Sequence, residues 1–168
     1  PDPYELFNTV GADALRLYLM SSPVVKAEEV TFYKKSVREL ASKVMGRMRN
    51  VVTLYQSFAQ EQEHHDLGES ENVLDQWIMA RIREFHNEVT QGMEDYELDR
   101  ASRPIMNFVD DLSTWYIRRS RDRFKSDDLQ DQRNALGTTR KVLHYFAQIV
   151  APVLPFLAEE IWQELRTS

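Results

Sequence analysis

Between Tyr33 and Gln60 the apolar residues Val37, Leu40, Val44, Met48, Val51, Val52, Tyr55 and Phe58 recur at steps of three and four. That spacing belongs to one face of an α-helix, not to a strand. A second run, Leu74, Trp77, Ile78, Ile82, Phe85, Val89 and Met93, predicts another long helix over Val73–Tyr96. Neither stripe can be buried by its own helix, so each must pack against other helices, and an all-α helix bundle is the expected fold. Composition supports this: glycine and proline are scarce, at 5 and 6 residues, and the apolar set leans to Leu, Met, Ala and Phe.

The remaining segments fit the same architecture. A third helix is expected from Leu98 to about Phe124, with Pro104 either kinking it or delaying its start to about Ser102. Asp127–Gln132 reads as a turn, followed by a helix over Arg133–Val150. Pro152 and Pro155 then break the chain before a last helix over Phe156–Arg166. At the N-terminus, Tyr4–Val10 and Ala12–Met20 read as two short helices, with Gly11 as the cap between them. Leu15, Leu17, Tyr18, Leu19 and Met20 are too dense for a helix exposed on one side, so this element should pack on more than one face. Pro23 to Phe32 reads as an extended connection, giving a connector over residues 1–31 and a bundle over residues 32–168. Glu61–Asn72, acidic and without periodicity, reads as a solvated linker.

Several function classes are excluded or disfavoured at this level. No stretch of about 18 uninterrupted apolar residues exists to cross a membrane. The N-terminus lacks a secretion-signal layout, so a cytoplasmic protein is expected, and starting at Pro1 without an initiator Met it reads as a piece of a longer one. With no cysteine and four scattered histidines, no metal site is expected. His64 and His65 read as solvated linker residues. A glycine-rich phosphate loop is missing, as is any nucleophile paired with a base, so no catalytic residue is assigned. A formal net charge of −6 means that any nucleic-acid site must be local rather than a property of the whole surface.

One stretch stands out: Phe108-Val109-Asp110-Asp111-Leu112-Ser113-Thr114-Trp115-Tyr116-Ile117-Arg118-Arg119-Ser120-Arg121-Asp122-Arg123-Phe124. In helical projection Ile105, Val109, Leu112 and Tyr116 form a stripe that Arg119 and Arg123 continue, so a core-facing line ends in guanidinium groups. Unpaired burial of such groups is costly, and they must meet carboxylates or an anionic partner. Two readings stay open from the residues alone. Arg118, Arg119, Arg121 and Arg123 can form a solvated helix end paired with Asp122, Asp127 and Asp128. Alternatively, they grip phosphates while Trp115 or Tyr116 offers a face to an unstacked base. Trp115 taken alone is expected at a core position rather than a stacking one. Asp110 and Asp111, adjacent on a helix, point about 100° apart, so one is expected to pair or cap and the other to meet solvent.

With these motifs in hand, the chain resembles the downstream half of class I aminoacyl-tRNA synthetases of the isoleucine, valine and leucine group. Asp2-Pro3 followed by Gly11-Ala12-Asp13-Ala14-Leu15-Arg16-Leu17-Tyr18-Leu19 is similar to that group's "DP…YGADALRLYL" run, with Val10 in place of tyrosine. Phe108 through Arg121 is similar to the isoleucyl branch's "FVDDLSNWYIRRSR", with Thr114 for asparagine; Asp122 interrupts the basic run and Pro104 replaces a helix-compatible residue. Ser22-Pro23-Val24-Val25, Leu74-Asp75-Gln76-Trp77-Ile78 and Ala151-Pro152-Val153-Leu154-Pro155-Phe156-Leu157-Ala158-Glu159-Glu160-Ile161 also look isoleucyl-type.

The resemblance implies an anticodon-binding helical domain from an isoleucyl-type ligase, whose complete form activates isoleucine with ATP and magnesium and charges tRNA(Ile). Neither cofactor is expected in this piece. The implied partners are the anticodon arm of tRNA(Ile) and a catalytic domain upstream of Pro1 that carries the family's "HIGH" and "KMSKS" signatures; a monomer is the expected state. Trp115, Tyr116, Arg118, Arg119, Arg121 and Arg123 are the implied tRNA-binding residues. Among them Arg118 and Arg121 are placed on the stem-loop backbone, and Arg119 is assigned a carboxylate partner such as Asp110, Asp111 or Glu160. The alternatives are a valyl- or leucyl-type fragment, against which the arginine run argues, and a helical protein-interaction module that binds no RNA.

Overall fold

A computed structural model describes residues 3–59 and 70–167; His64, His65 and most of the expected linker lie outside the described residues. The described chain is helical, with no strand among those residues. Helices α1 (Pro3–Val10) and α2 (Ala12–Met20) meet at Gly11, whose φ of 84° is a backbone conformation that glycine adopts without strain. A 3-10 turn over Pro23–Lys26 opens the stretch expected to be extended. The first long helix is α3 (Lys34–Leu40), a π-helical segment (Ala41–Gly46) and α4 (Arg47–Ala59) in continuous succession.

Helix α5 (Val73–Glu94) begins where the Asn72 side chain accepts the Leu74 amide at 2.9 Å, a local N-cap. It ends in a Schellman-type closure, with Glu97 N donating to Gly92 O at 2.8 Å and Tyr96 N to Met93 O at 3.1 Å. Tyr96 holds the left-handed position of that motif, φ 58°, with its ring 92% exposed. The chain then folds straight back. A Cβ on Gly92 would come within 2.5 Å of the Ala101 backbone nitrogen, so glycine is required for α5 to lie against α6 (Leu98–Ser102). The expected third helix is therefore divided, its second part, α7 (Pro104–Asp110), starting at Pro104, where a missing amide costs least.

Helix α9 (Leu129–Val150) starts four residues before the sequence expectation because Asp128 caps it, accepting Gln130 N at 3.0 Å and Asp131 N at 3.2 Å. The last helix, α10 (Pro155–Thr167), has Pro155 at its first position.

The core sits where α5, α7 and α9 meet: Phe85, Phe108 and Phe146 stack with centroids 4.7–6.1 Å apart, all fully buried. Leu6, Ala14, Leu15 and Leu17 of the expected connector belong to the same buried cluster. Two side chains of α2 lock it there. Asp13 Oδ2 accepts Leu157 N at 2.7 Å, capping α10, and Arg16 donates to Val153 O and Pro152 O, both at 3.0 Å, across the α9–α10 corner. Burial pushes the Asp13 carboxyl above its ordinary value, against the lowering effect of the α10 amides.

Candidate nucleic-acid interface

The arginine-bearing segment is not a regular α-helix. After α7 the chain enters a π-helical segment over Asp111–Ile117, then one short turn of α-helix, α8 (Arg118–Ser120), and a 3-10 turn over Arg123–Lys125. Hydrogen bonding from i to i+5 widens the turn. In consequence the buried positions advance by four residues, Leu112, Tyr116, Ser120 and Phe124, all 0% exposed. This overturns the straight projection. Ser120 takes the inward place assigned to Arg119, and Arg119 is carried to the surface. There its guanidinium carbon lies over the Trp115 ring, 4.3 Å from the centroid, a cation–π contact in place of the expected carboxylate.

The carboxylates expected for Arg119 have other partners. Asp110 pairs with Arg47 of α4, Asp111 accepts from Arg81 Nε of α5 at 2.9 Å, and Glu160 receives a bidentate fork from Arg49 at 2.7 and 2.8 Å. Thus both members of the aspartate doublet are paired, one to each flanking helix, and Asp110 also meets solvent, its side chain 60% exposed.

Two of the six implied tRNA-binding residues are not at the surface. Tyr116 is fully buried, and its hydroxyl donates to Asp75 Oδ1 at 2.8 Å, with Ala135 O at 3.3 Å. No base can stack on that ring in this fold. Burial and the adjacent Asp75 carboxylate both push the Tyr116 hydroxyl well above its ordinary pKa. The Arg123 side chain is 11% exposed and all three of its nitrogens are engaged. Nη1 and Nη2 hold Asp75 at 2.7 and 2.9 Å, while Nε and Nη2 hold Asp131 at 2.7–3.0 Å.

Asp75 is 1% exposed and also receives Ser70 Oγ at 2.7 Å. Burial acts to raise its carboxyl, but the hydrogen bonds from Arg123, Ser70 and Tyr116 outweigh it and hold the group below the usual range. Arg123 is likewise held charged, its burial more than offset by Asp75 and Asp131. No sequence spacing links residues 75, 116, 123 and 131. The cue available was only that Asp75 interrupts the apolar start of a helix.

What remains outward is Trp115, Arg118, Arg119 and Arg121, with Trp115 53% exposed and all three arginines exposed. Among the described residues no ion pair engages these three arginines. The pairing with Asp122, Asp127 and Asp128 that a solvated helix end would show is therefore not seen. The face thus offers three guanidinium groups and one indole, a combination able to meet phosphate oxygens and a base plane. No cluster of three potential metal ligands occurs among the described residues, and no helix among them is long and apolar enough to cross a membrane.

Comparison with known proteins gives the class of this helical bundle. The family model described as the anticodon-binding domain of tRNA ligase matches residues 75–168, and the chain belongs to that family. Isoleucine–tRNA ligases are its homologues: those of Chlamydia caviae and Chlamydia muridarum are 37% and 40% identical to it over 174 aligned residues, covering 100% of this chain and 17% of each relative. The chain therefore spans about a sixth of the length of the relatives it matches. Among solved structures, the agnB2 LeuRS of Agrobacterium radiobacter K84, in a ternary complex with tRNA and LeuAMS, superposes with a TM-score of 0.63 over 98% of this chain and 19% of that one, at 19% sequence identity, a likeness of fold.

Proposed function

We propose that this chain is the anticodon-arm-binding module of an isoleucine–tRNA ligase, and that Trp115, Arg118, Arg119 and Arg121 form its RNA-facing surface. The observation that carries the reading is the outward set of Trp115, Arg118, Arg119 and Arg121, its arginines without an ion pair among the described residues on a chain of net charge −6, while nearby Arg47, Arg81 and Arg123 are paired. Arg118 and Arg121 are a helical turn apart and meet backbone phosphates, while Trp115, backed by Arg119, takes a base plane. Tyr116 and Arg123 support this surface from behind. In the complete ligase, isoleucine activation with ATP and magnesium falls to a catalytic region elsewhere in the polypeptide, and the enzyme acts as a cytoplasmic monomer on tRNA(Ile).

The test is binding of an isoleucine tRNA transcript over several salt concentrations. Arg118→Ala and Arg121→Ala each weaken binding by about 1 kcal/mol and reduce the salt slope by about one unit. Parental affinity and slope in both variants would show the surface to be elsewhere.

A further inference from the structure

Arg123 closes the basic run, yet its geometry differs from that of the arginines before it. We infer that Arg123 is a positioning residue, acting with Asp75 and Asp131 to set the direction in which Trp115, Arg118, Arg119 and Arg121 face; this rests on the RNA-binding reading of that surface. The reason lies in how the segment is held. Helix α8 is the last turn of a helix that runs on from α7 through the π-helical stretch, and the chain leaves α-helical geometry just beyond it. The segment is held at both ends.

At the entrance, Asp110 and Asp111 are taken by Arg47 of α4 and Arg81 of α5. At the exit, Arg123 is held by Asp75 near the start of α5 and by Asp131 in the first turn of α9. Phe124 is fully buried beside Phe58, with ring centroids 6.0 Å apart, and its carbonyl accepts Gln132 Nε2 at 2.8 Å. The outward residues lie between these two anchors. Every nitrogen of Arg123 is engaged by the two carboxylates and its side chain is 11% exposed, so the guanidinium is committed to the anchor. The anchor's own charge, two carboxylates against one guanidinium, would by itself repel RNA.

That last fact separates positioning from simple electrostatics by sign. Asp131→Asn removes a negative charge, and on electrostatic grounds alone it should tighten RNA binding. If the anchor positions the arginines, it weakens binding instead, by about threefold or more, because the fork on Arg123 is loosened. The reference is Asp127→Asn, which neutralises an exposed aspartate outside the network and leaves binding equal or slightly tighter. Affinity of Asp131→Asn for an isoleucine tRNA transcript equal to or above that of Asp127→Asn overturns the proposal.

Arg123→Lys supplies a second arm that keeps the charge and loses the planar fork. Its affinity falls, and combining it with Arg118→Ala costs less than the sum of the two single changes; parental affinity or strict additivity counts against positioning. If Arg118→Ala and Arg121→Ala bind as the parent does, the RNA-facing assignment and the positioning role fall together. If those two weaken binding while Asp131→Asn tightens it, only the positioning role fails.

Discussion

Asp13 Oδ2 accepts the Leu157 amide at 2.7 Å, so a residue of the second helix caps the last one across 144 positions of sequence. Its other carboxylate oxygen is buried without a hydrogen-bond partner. Asp13→Ala removes the cap and lowers stability by about 1 kcal/mol. Asp13→Asn keeps an acceptor for Leu157 and removes a buried charge. Because burial raises the folded-state pKa of Asp13, its ionisation costs stability as pH rises through that value. The asparagine variant should therefore melt at or above the parent at neutral pH, with the difference shrinking on acidification. Melting curves over a pH series check this, and an advantage that grows toward acid would contradict it.

Asp75 has the opposite sign. Its carboxyl is depressed in the fold, so its contribution is present at neutral pH and is lost as pH falls below the ordinary aspartate value, about 4, through the folded-state pKa. Asp75→Ala leaves the nearly buried Arg123 with Asp131 alone and should cost about 3 kcal/mol at neutral pH. Chemical denaturation at pH 7 and at pH 3 measures both effects, and the loss caused by the substitution should be smaller at the lower pH.

Arg119→Ala should leave the melting temperature nearly unchanged, since the residue is exposed and its contact with Trp115 is worth about 0.5–1 kcal/mol at most. A loss of 2 kcal/mol or more on denaturation would return Arg119 to a structural role.

Gly92→Ala drives a methyl group into the Ala101 backbone, and separating α5 from α6 there should cost about 2 kcal/mol or more. Tyr96→Gly relieves a left-handed residue whose ring is in solvent, and should raise stability by about 1 kcal/mol. The two changes lie four residues apart and have opposite signs, so paired melting curves form an internal control.

The helices were most legible where periodicity is strong: α5 keeps apolar residues at steps of three and four from Leu74 to Met93. Local chemistry set the boundaries that were misjudged, since Asp128 captures the Gln130 and Asp131 amides and so extends α9 backward through a segment that reads as a turn. At the candidate site, a projection built on 3.6 residues per turn cannot anticipate a π-helical segment. That one irregularity moved Arg119 outward and Ser120 inward. A cue was nevertheless present, because Leu112, Tyr116, Ser120 and Phe124 are four residues apart and none carries a charge. The Asp75–Arg123–Asp131 anchor joins α5, the 3-10 turn at Arg123 and α9, and leaves no local signature.

The embrace of the α9–α10 corner by α2 also governs the order in which the molecule can be completed. A ribosome makes Asp13, Arg16 and Leu17 early, but the carbonyls of Pro152 and Val153 and the amide of Leu157 emerge only after well over a hundred further residues. Throughout that interval α2 can lean on α1, α3 and α6, but its grip on the α9–α10 corner closes only when the last helix has formed.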